Sequence, residues 1–446
     1  MNMINKEHKY HFVGIKGSGM SALALILHGE GFEVQGSDVG KYFFTQQELE
    51  NQDITILEFD ADNITEDLTI IAGNAFNDDH PELVKARELG LEIYRYHDFI
   101  GGLIQNYTSI AVTGSHGKTS TTGLLSHTLK NLAPTSYLIG DGTGFGDETA
   151  TYFALEACEY RRHFLAYKPD YAIVTNVDFD HPDYYRSIED VFEAIQTFSN
   201  QANKAIIACG DDEYLPNLKS DGPIYYYGLT EESRVNAKNI DRTVEGSEFD
   251  VVIDGEVFGR FAIPVYGEHN ILNALSVITV LYLEGFKAED IKEHIATFGG
   301  VKRRFSARQI QDLTIIDDYA HHPSEITATI DAAKQRYPNR EIVAIFQPHT
   351  FSRTVAMLNE FAESLSLADK VYLVEIFNSA REANGEVTIE DLAKLIHQNV
   401  EIISTDHLSP LMGYKDAVFL FMGAGDIDEL SRQFEKAYAN LSPNRL

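Results

Sequence analysis

Short apolar runs alternate along the chain with longer segments in which apolar residues recur every three or four positions. The first apolar run covers residues 11–15, a glycine-containing turn follows at 16–19, and a helical pattern extends over 20–30. Gly31 ends this pattern, and residues 32–38 read as the next strand. Strand–helix–strand order of this kind predicts a βαβ unit with parallel strands.

The same alternation continues to the C-terminus and divides into three blocks. The pattern therefore predicts an α/β fold with three domains in series: a Rossmann-like N-terminal domain at 1–107, a central P-loop ATPase-type domain at 108–301, and a C-terminal Rossmann-like domain at 302–446. Further strands are predicted at 69–72, 152–155, 171–175, 204–208, 249–253, 258–261, 313–317, 342–346, 370–374 and 417–421, and further helices at 81–89 and 270–284.

Composition narrows the classes of function. The 446 residues carry a formal net charge of −32, which argues against nucleic acid or an anionic membrane surface as a partner. The two cysteines cannot form a disulfide framework and indicate free thiols in a reducing compartment. The N-terminus lacks the apolar core of a signal peptide, and no apolar run reaches the length of a membrane span. We expect a cytoplasmic protein without membrane insertion.

A strand-like run ends at Thr113, and a short loop bounded by Gly114 and Gly117 leads to Lys118 and Thr119 at the head of a helical segment. This is the arrangement of a phosphate-binding loop, in which backbone N–H groups and the helix N-terminus hold anionic oxygens. The loop is shorter than the standard motif, and the alternative is an ordinary strand–turn–helix junction. We predict ATP binding by residues 114–120, including Ser115, His116 and Ser120, with the Thr119 hydroxyl near Mg²⁺.

A second glycine-rich turn, Gly17-x-Gly19-x-x-Ala22, is followed by Asp38 at the end of the next predicted strand. This pattern is typical of dinucleotide binding but is weak alone, since a tight turn that packs a helix on a strand reads the same way. A chain that already has an ATP loop has little need of NAD. We therefore interpret the turn, with Ser18 and Met20, as the pyrophosphate seat of a nucleotide-linked substrate.

Candidate metal ligands follow two central strands. Glu156 and His181 lie at such strand ends, and together with Thr119 they could converge on Mg²⁺, which prefers oxygen ligands. Imidazole is an unusual Mg²⁺ ligand, so His181 could instead be a base or a hydrogen-bond donor. Alternative carboxylates are available at Glu159, Asp178, Asp180 and Asp183.

Three later motifs add candidate contacts. Asn270 and Asn273 fall on one face of a starting helix, where they could read adenine or serve as an N-cap and a first-turn residue. The basic residues 302–304 could clamp phosphate or form a solvated face. Asp318 and His321 follow one predicted strand, and His349 and Arg353 follow another. A histidine together with an arginine suits the binding of a small carboxylate.

This ordered set of motifs resembles the Mur ligases, ATP-dependent amide ligases of peptidoglycan precursor synthesis. The resemblance spans essentially the whole chain and rests on residues 17–20, 113–119, 156–159, 176–181, 267–274 and 318–323. The runs at 303–305 and 347–353 are most similar to the members that join L-alanine to UDP-N-acetylmuramate. The rival is the recycling ligase that attaches a whole peptide to the same sugar nucleotide.

The resemblance implies roles for the candidate residues. ATP and Mg²⁺ are the implied cofactors, UDP-N-acetylmuramate and L-alanine the implied substrates, and a monomer or weak homodimer the expected state. No lysine lies between His181 and Lys204, so the carbamylated lysine of several members is not assigned. Lys118 is implied to bind the γ-phosphate, and Thr119, Glu156 and His181 are implied to contact metal or metal-bound groups. Asn270 and Asn273 are implied to contact adenine, and Arg303, Arg304 and Asp318 to contact ATP from the C-terminal domain. The Gly17–Gly19 turn is implied to bind UDP, and His321, His349 and Arg353 to bind the amino acid.

Two other classes of function stay open from the residues alone. An NAD-dependent oxidoreductase would use the Gly17 turn and leave Lys118 without a role. A nucleotide-binding switch would hydrolyse ATP slowly and make no amide. The resemblance favours a ligase with Lys118, His181 and Arg304 as catalytic residues.

Overall fold

A computed structural model describes residues 8–377, 385–397, 399–404 and 407–440. Its strands form three sheets that follow one another along the chain, with five, ten and six strands. The predicted α/β class with three domains in series is confirmed by this architecture. The exact boundaries at 107 and 301 stay predictions.

The first sheet is wholly parallel, in the order β3-β2-β1-β4-β5. Strand β4 is buried at every position, as expected for a strand covered on both faces. The elements are β1 (Lys9–Val13), α1 (Ser18–Gly29), β2 (Glu33–Asp38), α2 (Gln46–Asn51), β3 (Thr55–Glu58), β4 (Leu68–Ala72), α3 (Pro81–Glu88), β5 (Ile93–Arg95) and α4 (Tyr96–Leu103).

Helix α1 ends where the sequence predicts. Gly31 adopts φ +85°, a left-handed conformation that glycine accepts without strain. Its N–H donates to the His28 carbonyl and the Phe32 N–H donates to the Leu27 carbonyl, the two bonds of a Schellman motif. The chain is thereby turned directly into β2.

The central sheet has ten strands, in the order β15-β14-β13-β12-β11-β10-β6-β9-β7-β8. Its middle is parallel, whereas β13, β14 and β15 form an antiparallel meander, the insert that the sequence predicts as β-rich. The elements are β6 (Thr108–Thr113), α5 (Lys118–Leu132), β7 (Thr135–Leu138), β8 (Gly144–Phe145), β9 (Tyr152–Glu156), β10 (Tyr171–Val174), α6 (Ile188–Ser199), β11 (Ala205–Cys209), β12 (Ile224–Gly228), β13 (Val235–Thr243), β14 (Gly246–Ile253), β15 (Glu256–Ile263), α7 (Glu268–Leu283) and α8 (Ala288–Ile295).

The third sheet runs β16-β17-β21-β18-β19-β20 and is parallel except for the edge strand β16. Strands β17, β19 and β21 are buried along their whole length. The elements are β16 (Ser306–Ile310), β17 (Leu313–Asp318), α9 (Pro323–Arg336), β18 (Glu341–Phe346), α10 (Phe351–Ala356), α11 (Leu358–Leu365), β19 (Lys370–Leu373), α12 (Ile389–Leu395), β20 (Val400–Ile402), β21 (Ala417–Met422) and α13 (Ile427–Ala439).

The first and second sheets share one apolar core. Helix α1 packs on β7 and β8, and glycines make the approach close: a Cβ at Gly144 would lie 2.1 Å from the Ala22 carbonyl oxygen. A Cβ at Gly146 would lie 2.0 Å from the Ile26 carbonyl oxygen. The buried Glu30 carboxylate adds hydrogen bonds from the Tyr107 hydroxyl at 2.8 Å and the Ser136 hydroxyl at 2.6 Å. The two domains are therefore packed like a single body.

The C-terminal sheet has apolar clusters of its own. Polar contacts carry much of its attachment to the central domain. Gln335 on α9 donates to the Thr243 and Gly246 carbonyls and accepts from the Gly267 N–H, and Arg242 pairs with Asp331 at 2.6 Å. This interface is therefore more polar than the interface between α1 and the central domain, which is packed like a protein interior.

All predicted strands and helices are present, with ends shifted by up to three residues. The strands that the sequence pattern missed within the described residues include β7, β12 and β20, which are short or half-polar. Both cysteines are free thiols. Within the described residues, no helix is both long enough and apolar enough to cross a membrane.

Candidate functional site

The loop between β6 and α5 has the geometry of an anion seat. Gly114 and Gly117 adopt φ +129° and +79°, and Gly117 is the N-cap of α5. A Cβ at Gly114 would lie 2.1 Å from the Thr175 hydroxyl, so space also requires glycine there. The Asn176 side chain accepts from the His116 N–H at 2.8 Å and fixes the loop to the end of β10. The N-terminus of a long helix thus opens beside a rigid loop.

Lys118 folds back onto this loop. Its ammonium donates to the Gly114 and Ser115 carbonyls at 2.7 and 2.9 Å and lies 2.9 Å from Glu159 Oε2. Burial acts to lower the pKa of Lys118, but Glu159 together with the neighbouring Cys158 and Glu156 outweighs it and raises that pKa, which keeps the ammonium charged. In this structure a carboxylate of the chain therefore holds the cation that we predict for the γ-phosphate.

Glu159 also faces His181, whose Nε2 lies 3.6 Å from Glu159 Oε1. Burial lowers the pKa of His181, which favours the neutral imidazole. Glu156 accepts from the Gly140 N–H at 2.9 Å. Glu159 Oε1 has no hydrogen-bond donor among the described residues, and an anionic oxygen of this kind beside a neutral imidazole fits a cation. The assignment of Thr119, Glu156 and His181 to a metal stays a prediction.

A cavity of about 800 Å³ opens between the central and C-terminal domains. Its size suits a nucleotide, and seven of the residues predicted to contact ATP lie in its wall. These residues are His116, Gly117, Ser120, Asn270, Asn273, Arg304 and Asp318. Gly114, Ser115, Lys118, Thr119 and Arg303 are not in the cavity wall.

The two asparagines meet in this cavity. Helix α7 begins at Glu268 with Gly267 as its N-cap, so the alternative in which Asn270 caps the helix is wrong. Asn273 Nδ2 donates to Asn270 Oδ1 at 3.1 Å, and Asn270 Nδ2 donates to the Tyr266 carbonyl at 2.6 Å. Gly267 is required by its φ of +87° and by the His269 ring, which a Cβ would meet at 2.5 Å.

His116 stands between two carboxylates from different domains. Its Nε2 lies 3.1 Å from Asp178 Oδ2 and its Nδ1 lies 3.7 Å from Glu325 Oε1. Burial acts to lower the pKa of His116, but the hydrogen bonds to Asp178 and Glu325 raise it to about 9. The His322 ring packs on it at 4.3 Å, and burial lowers the pKa of His322 to about 4. A charged imidazolium thus links the domains.

His116, Asp178 and His322 are also the one group of His, Cys, Asp or Glu side chains, within the described part of the chain, whose ligand atoms are close enough to share a metal ion. Ser324 N–H donates to His322 Nδ1 at 3.3 Å, and the Ser324 hydroxyl donates to Asp178 at 2.7 Å. These hydrogen bonds hold Asp178 and the Nδ1 side of His322 in place.

The Gly17 turn begins α1, and Gly19 is tightly enclosed, since a Cβ there would lie 2.6 Å from the Tyr96 hydroxyl. Asp38 accepts from the Lys16 and Val39 N–H groups at 2.8 and 2.7 Å. A cavity of about 320 Å³ lies beside Asp38 and Lys16. Gly17, Ser18, Gly19 and Met20 are not in its wall, and their role toward UDP stays a prediction.

The three residues predicted for the amino acid follow strands β17 and β18 of the third sheet, and Arg353 lies in α10. The His321 and His349 rings lie 6.4 Å apart, and His349 stacks on Phe377. Arg353 is held across the domain interface: its Nε and Nη2 donate to Asp180 Oδ1 at 3.0 and 2.6 Å. Both side chains are 6% exposed. As with Lys118, a carboxylate of the chain is paired with a cation that we predict to bind a substrate anion.

Backbone strain is concentrated around this region. His181, Arg303 and Thr350 adopt φ of 56°, 54° and 71°, a left-handed conformation that is uncommon outside glycine. His181 and Arg303 are themselves candidate contact residues, and Thr350 follows His349. Strain that the surrounding packing holds in place is common at functional sites, where it fixes a side chain in one direction.

Sequence reasoning gave too little weight to three carboxylates. Glu159 and Asp180 were only alternatives to Glu156, yet they hold Lys118 and Arg353. Glu325 carried no signal, because a glutamate in the first turn of a helix is ordinary capping chemistry. Tertiary contacts, which one sequence does not encode locally, give these residues their partners.

Three family models match the chain in order: the catalytic domain of the Mur ligase family at residues 9–108, the Mur ligase middle domain at 112–281, and the Mur ligase, glutamate ligase domain at 303–425. Together they cover most of the chain and all three sheets.

Curated relatives match over nearly the full length. A protein of Levilactobacillus brevis named UDP-N-acetylmuramate–L-alanine ligase is 59% identical over 433 residues, covering 97% of this chain and 98% of the relative. A protein of the same name from Lactiplantibacillus plantarum is 57% identical, covering 97% and 99%.

Solved structures share the fold. The crystal structure of the UDP-N-acetylmuramate–alanine ligase MurC from Thermotoga maritima has a TM-score of 0.77 at 29% identity and covers 96% of this chain and 99% of that one. A murein peptide ligase from Psychrobacter arcticus has a TM-score of 0.68 at 23% identity, which supports the fold alone. The resemblance read from the motifs is confirmed: the chain belongs to the Mur ligase family.

Proposed function

We propose that this chain joins L-alanine to the lactyl carboxylate of UDP-N-acetylmuramate, with ATP converted to ADP and phosphate, in peptidoglycan precursor synthesis. The observation that carries the proposal is the 59% and 57% identity, over almost the whole chain, to two relatives named for that reaction. The domain-spanning cavity beside the phosphate loop agrees with a reaction that consumes a nucleotide.

In the first half-reaction the lactyl carboxylate attacks the γ-phosphorus of ATP. A new carboxyl oxygen–phosphorus bond forms as the bond to ADP breaks, which gives an acyl phosphate. Lys118 and Arg304 are the proposed catalytic cations, since charge neutralisation and alignment account for most catalysis of phosphoryl transfer. The Lys118 ammonium lies 2.9 Å from Glu159 Oε2 and must leave this carboxylate to bind phosphate oxygens. We expect the exchange to need only a local movement of the Lys118 side chain.

In the second half-reaction the amine of L-alanine attacks the acyl carbonyl and phosphate leaves. Arg353 is proposed to bind the alanine carboxylate with His321 and His349 beside it. Because Asp180 already holds the Nε and Nη2 side of Arg353, the guanidinium is fixed in orientation before the amino acid arrives. His181 completes the proposed catalytic set next to Glu159.

Mg²⁺ bound near Thr119, Glu156 and His181 would neutralise phosphate charge. ATP would lie along residues 114–120 with Asn270 and Asn273 toward adenine and with Arg303, Arg304 and Asp318 on the opposite wall. UDP would lie against Gly17, Ser18, Gly19, Met20 and Asp38. We also propose the domain limits 1–107, 108–301 and 302–446, a cytoplasmic location, and a monomer or weak homodimer.

The test supplies ATP, Mg²⁺ and UDP-N-acetylmuramate with either L-alanine or a cell-wall tripeptide. Phosphate release and the product mass are followed together. The proposal expects phosphate and a new amide with L-alanine. Phosphate and amide only with the tripeptide would overturn it in favour of the recycling reaction, and slow phosphate release without an amide would indicate a nucleotide switch.

A further inference from the structure

Three separate segments converge on one carboxylate, that of Glu325 in the first turn of α9. Arg304 Nη1 lies 3.3 Å from Oε1, and His116 Nδ1 lies 3.7 Å from the same oxygen. The other oxygen, Oε2, accepts from the His321 N–H at 3.0 Å and lies 3.1 Å from His321 Nδ1. The phosphate loop, the inter-domain segment and the loop after β17 therefore meet at this side chain.

The setting keeps Glu325 ionised. Its side chain is only 10% exposed, and burial alone would raise its pKa. The His321 ring, His116 and Arg304 outweigh that effect and hold the pKa of Glu325 well below its usual range. Asp318 is the neighbouring buried carboxylate, and its pKa is raised, chiefly by burial. Glu325 is thus the anion around which the cationic groups are arranged.

A helix cap explains only part of this arrangement. In a capping box the glutamate reaches back to the backbone N–H of the N-cap, which is His322 here. Glu325 instead accepts from the residue before the N-cap, and its other oxygen faces Arg304 and His116. A cap that served only the helix would not need two side-chain cations from outside it.

We propose that Glu325 is a positioning residue that aligns Arg304 for ATP and His321 for the amino acid, and so couples the two sites, while its contact with His116 ties them to the central domain. This inference rests on the proposed function for the roles of Arg304 and His321. Displacement of Arg304 should therefore change the position of His321, and the reverse, because both contact the same buried carboxylate.

The test replaces the charge and keeps the shape, with Glu325→Gln. We expect kcat/KM for L-alanine and for ATP to fall by about a hundredfold, the loss that a small misplacement of aligned groups produces. The KM for UDP-N-acetylmuramate should stay within about twofold, since the proposed UDP contacts lie in the N-terminal domain. Glu325→Asp, which keeps the charge but shortens the side chain, should recover part of the loss.

Glu360→Gln is the matched control, because Glu360 occupies the same position in the first turn of α11 and is exposed. It should leave all three kinetic constants unchanged. Double variants sharpen the test: Arg304→Ala and His321→Ala, each combined with Glu325→Gln, should be no worse than the more damaging single change. Additive losses, or a Glu325→Gln enzyme with wild-type constants, would overturn the proposal.

Binding separates this inference from the proposed function. Titration calorimetry with a non-hydrolysable ATP analogue needs no ligation, and we expect Glu325→Gln to weaken analogue binding by about tenfold, as loss of a charged partner implies. If the wild type made no amide, the proposed function would fail while this measurement still tested Glu325. Unchanged analogue affinity would contradict the role of Glu325 at the ATP site.

Discussion

The two outer domains are attached to the central domain by interfaces of different chemistry. The N-terminal domain shares an apolar core with it, and α1 lies so close to β7 and β8 that glycine is required at Gly144 and Gly146. The C-terminal domain is held largely by charged and polar side chains, among them Arg353 with Asp180 and Arg242 with Asp331.

This difference indicates which domains keep a fixed arrangement relative to each other. Close-packed apolar contacts lose much of their stabilisation once separated, so the first interface should open only on unfolding. Polar pairs exchange readily for water or for ligand anions, and interfaces of this kind permit domain motion. The candidate nucleotide cavity lies at the second interface. We therefore expect the C-terminal domain to move during the reaction while the other two domains remain together.

The largest effect should come from the phosphate-binding loop, which lies at the second interface. Lys118→Ala removes the proposed γ-phosphate cation, and we expect at least about a thousandfold loss of ligation, as for other groups that stabilise developing charge. Lys130→Ala, on the exposed end of the same helix, is the control and should ligate normally. Near-native turnover by Lys118→Ala would show that the loop is misassigned.

The addition of a single methyl group should disrupt the packing of the apolar interface. In Gly144→Ala the new Cβ would meet the Ala22 carbonyl at 2.1 Å, and we expect a loss of about 1–3 kcal/mol in the free energy of unfolding, typical of overpacking. Urea denaturation measures it. Gly413→Ala adds the same methyl group where no other atom lies within 4 Å and should cost far less. Equal losses would argue against close packing at α1.

The polar interface should respond to protonation of His116, whose pKa is raised to about 9. A group with a raised pKa stabilises the folded protein fully below its unfolded value, about 6.5, and this stabilisation is lost as pH rises through about 9. The stability advantage of the wild type over His116→Gln should therefore shrink by about 1–3 kcal/mol between these limits. An advantage that grows or stays constant over that range would contradict the assigned imidazolium.

The smallest effect on stability should come from Arg242→Ala. The pair with Asp331 is partly exposed, at 29% and 43%, so we expect less than about 1 kcal/mol in unfolding free energy. Ligation should nevertheless change several-fold, because α9 loses a contact with the central domain. The control is Arg234→Ala, which breaks a pair with Asp254 inside the central insert. If both variants had equal activity, the Arg242 contact would have no part in docking.

Local pattern was enough for most of the fold. Apolar runs and glycine turns predicted the strands and helices that build the three sheets, because buried parallel strands and amphipathic helices leave strong periodic signals. The phosphate loop was found in the same way, since its glycines, Lys118 and the following helix are contiguous. Half-polar strands such as β7 were missed, because in β7 the buried residues Thr135 and Ser136 interrupt the apolar run.

The candidate site was predictable only in part. Asn270 and Asn273, Arg304 and Asp318 share one cavity, as the family resemblance implies. The partners of the two key cations could not be foreseen, since Glu159 and Asp180 reach Lys118 and Arg353 through tertiary contacts. Carboxylates at those positions look like their many neighbours in a chain with 68 acidic residues.

The central claim is that one outer domain is fixed and the other is separable. Spin labels at the exposed positions Glu88, Glu289 and Glu363 place one probe on each domain, and pulsed dipolar spectroscopy gives the distances between them. The account predicts that the Glu88–Glu289 distance is unchanged by ATP analogue with UDP-N-acetylmuramate or by about 1 M salt, which screens surface charges. The Glu289–Glu363 distance should narrow in distribution with ligands and broaden in salt. Movement of both pairs together, or no response of the second pair, would contradict it.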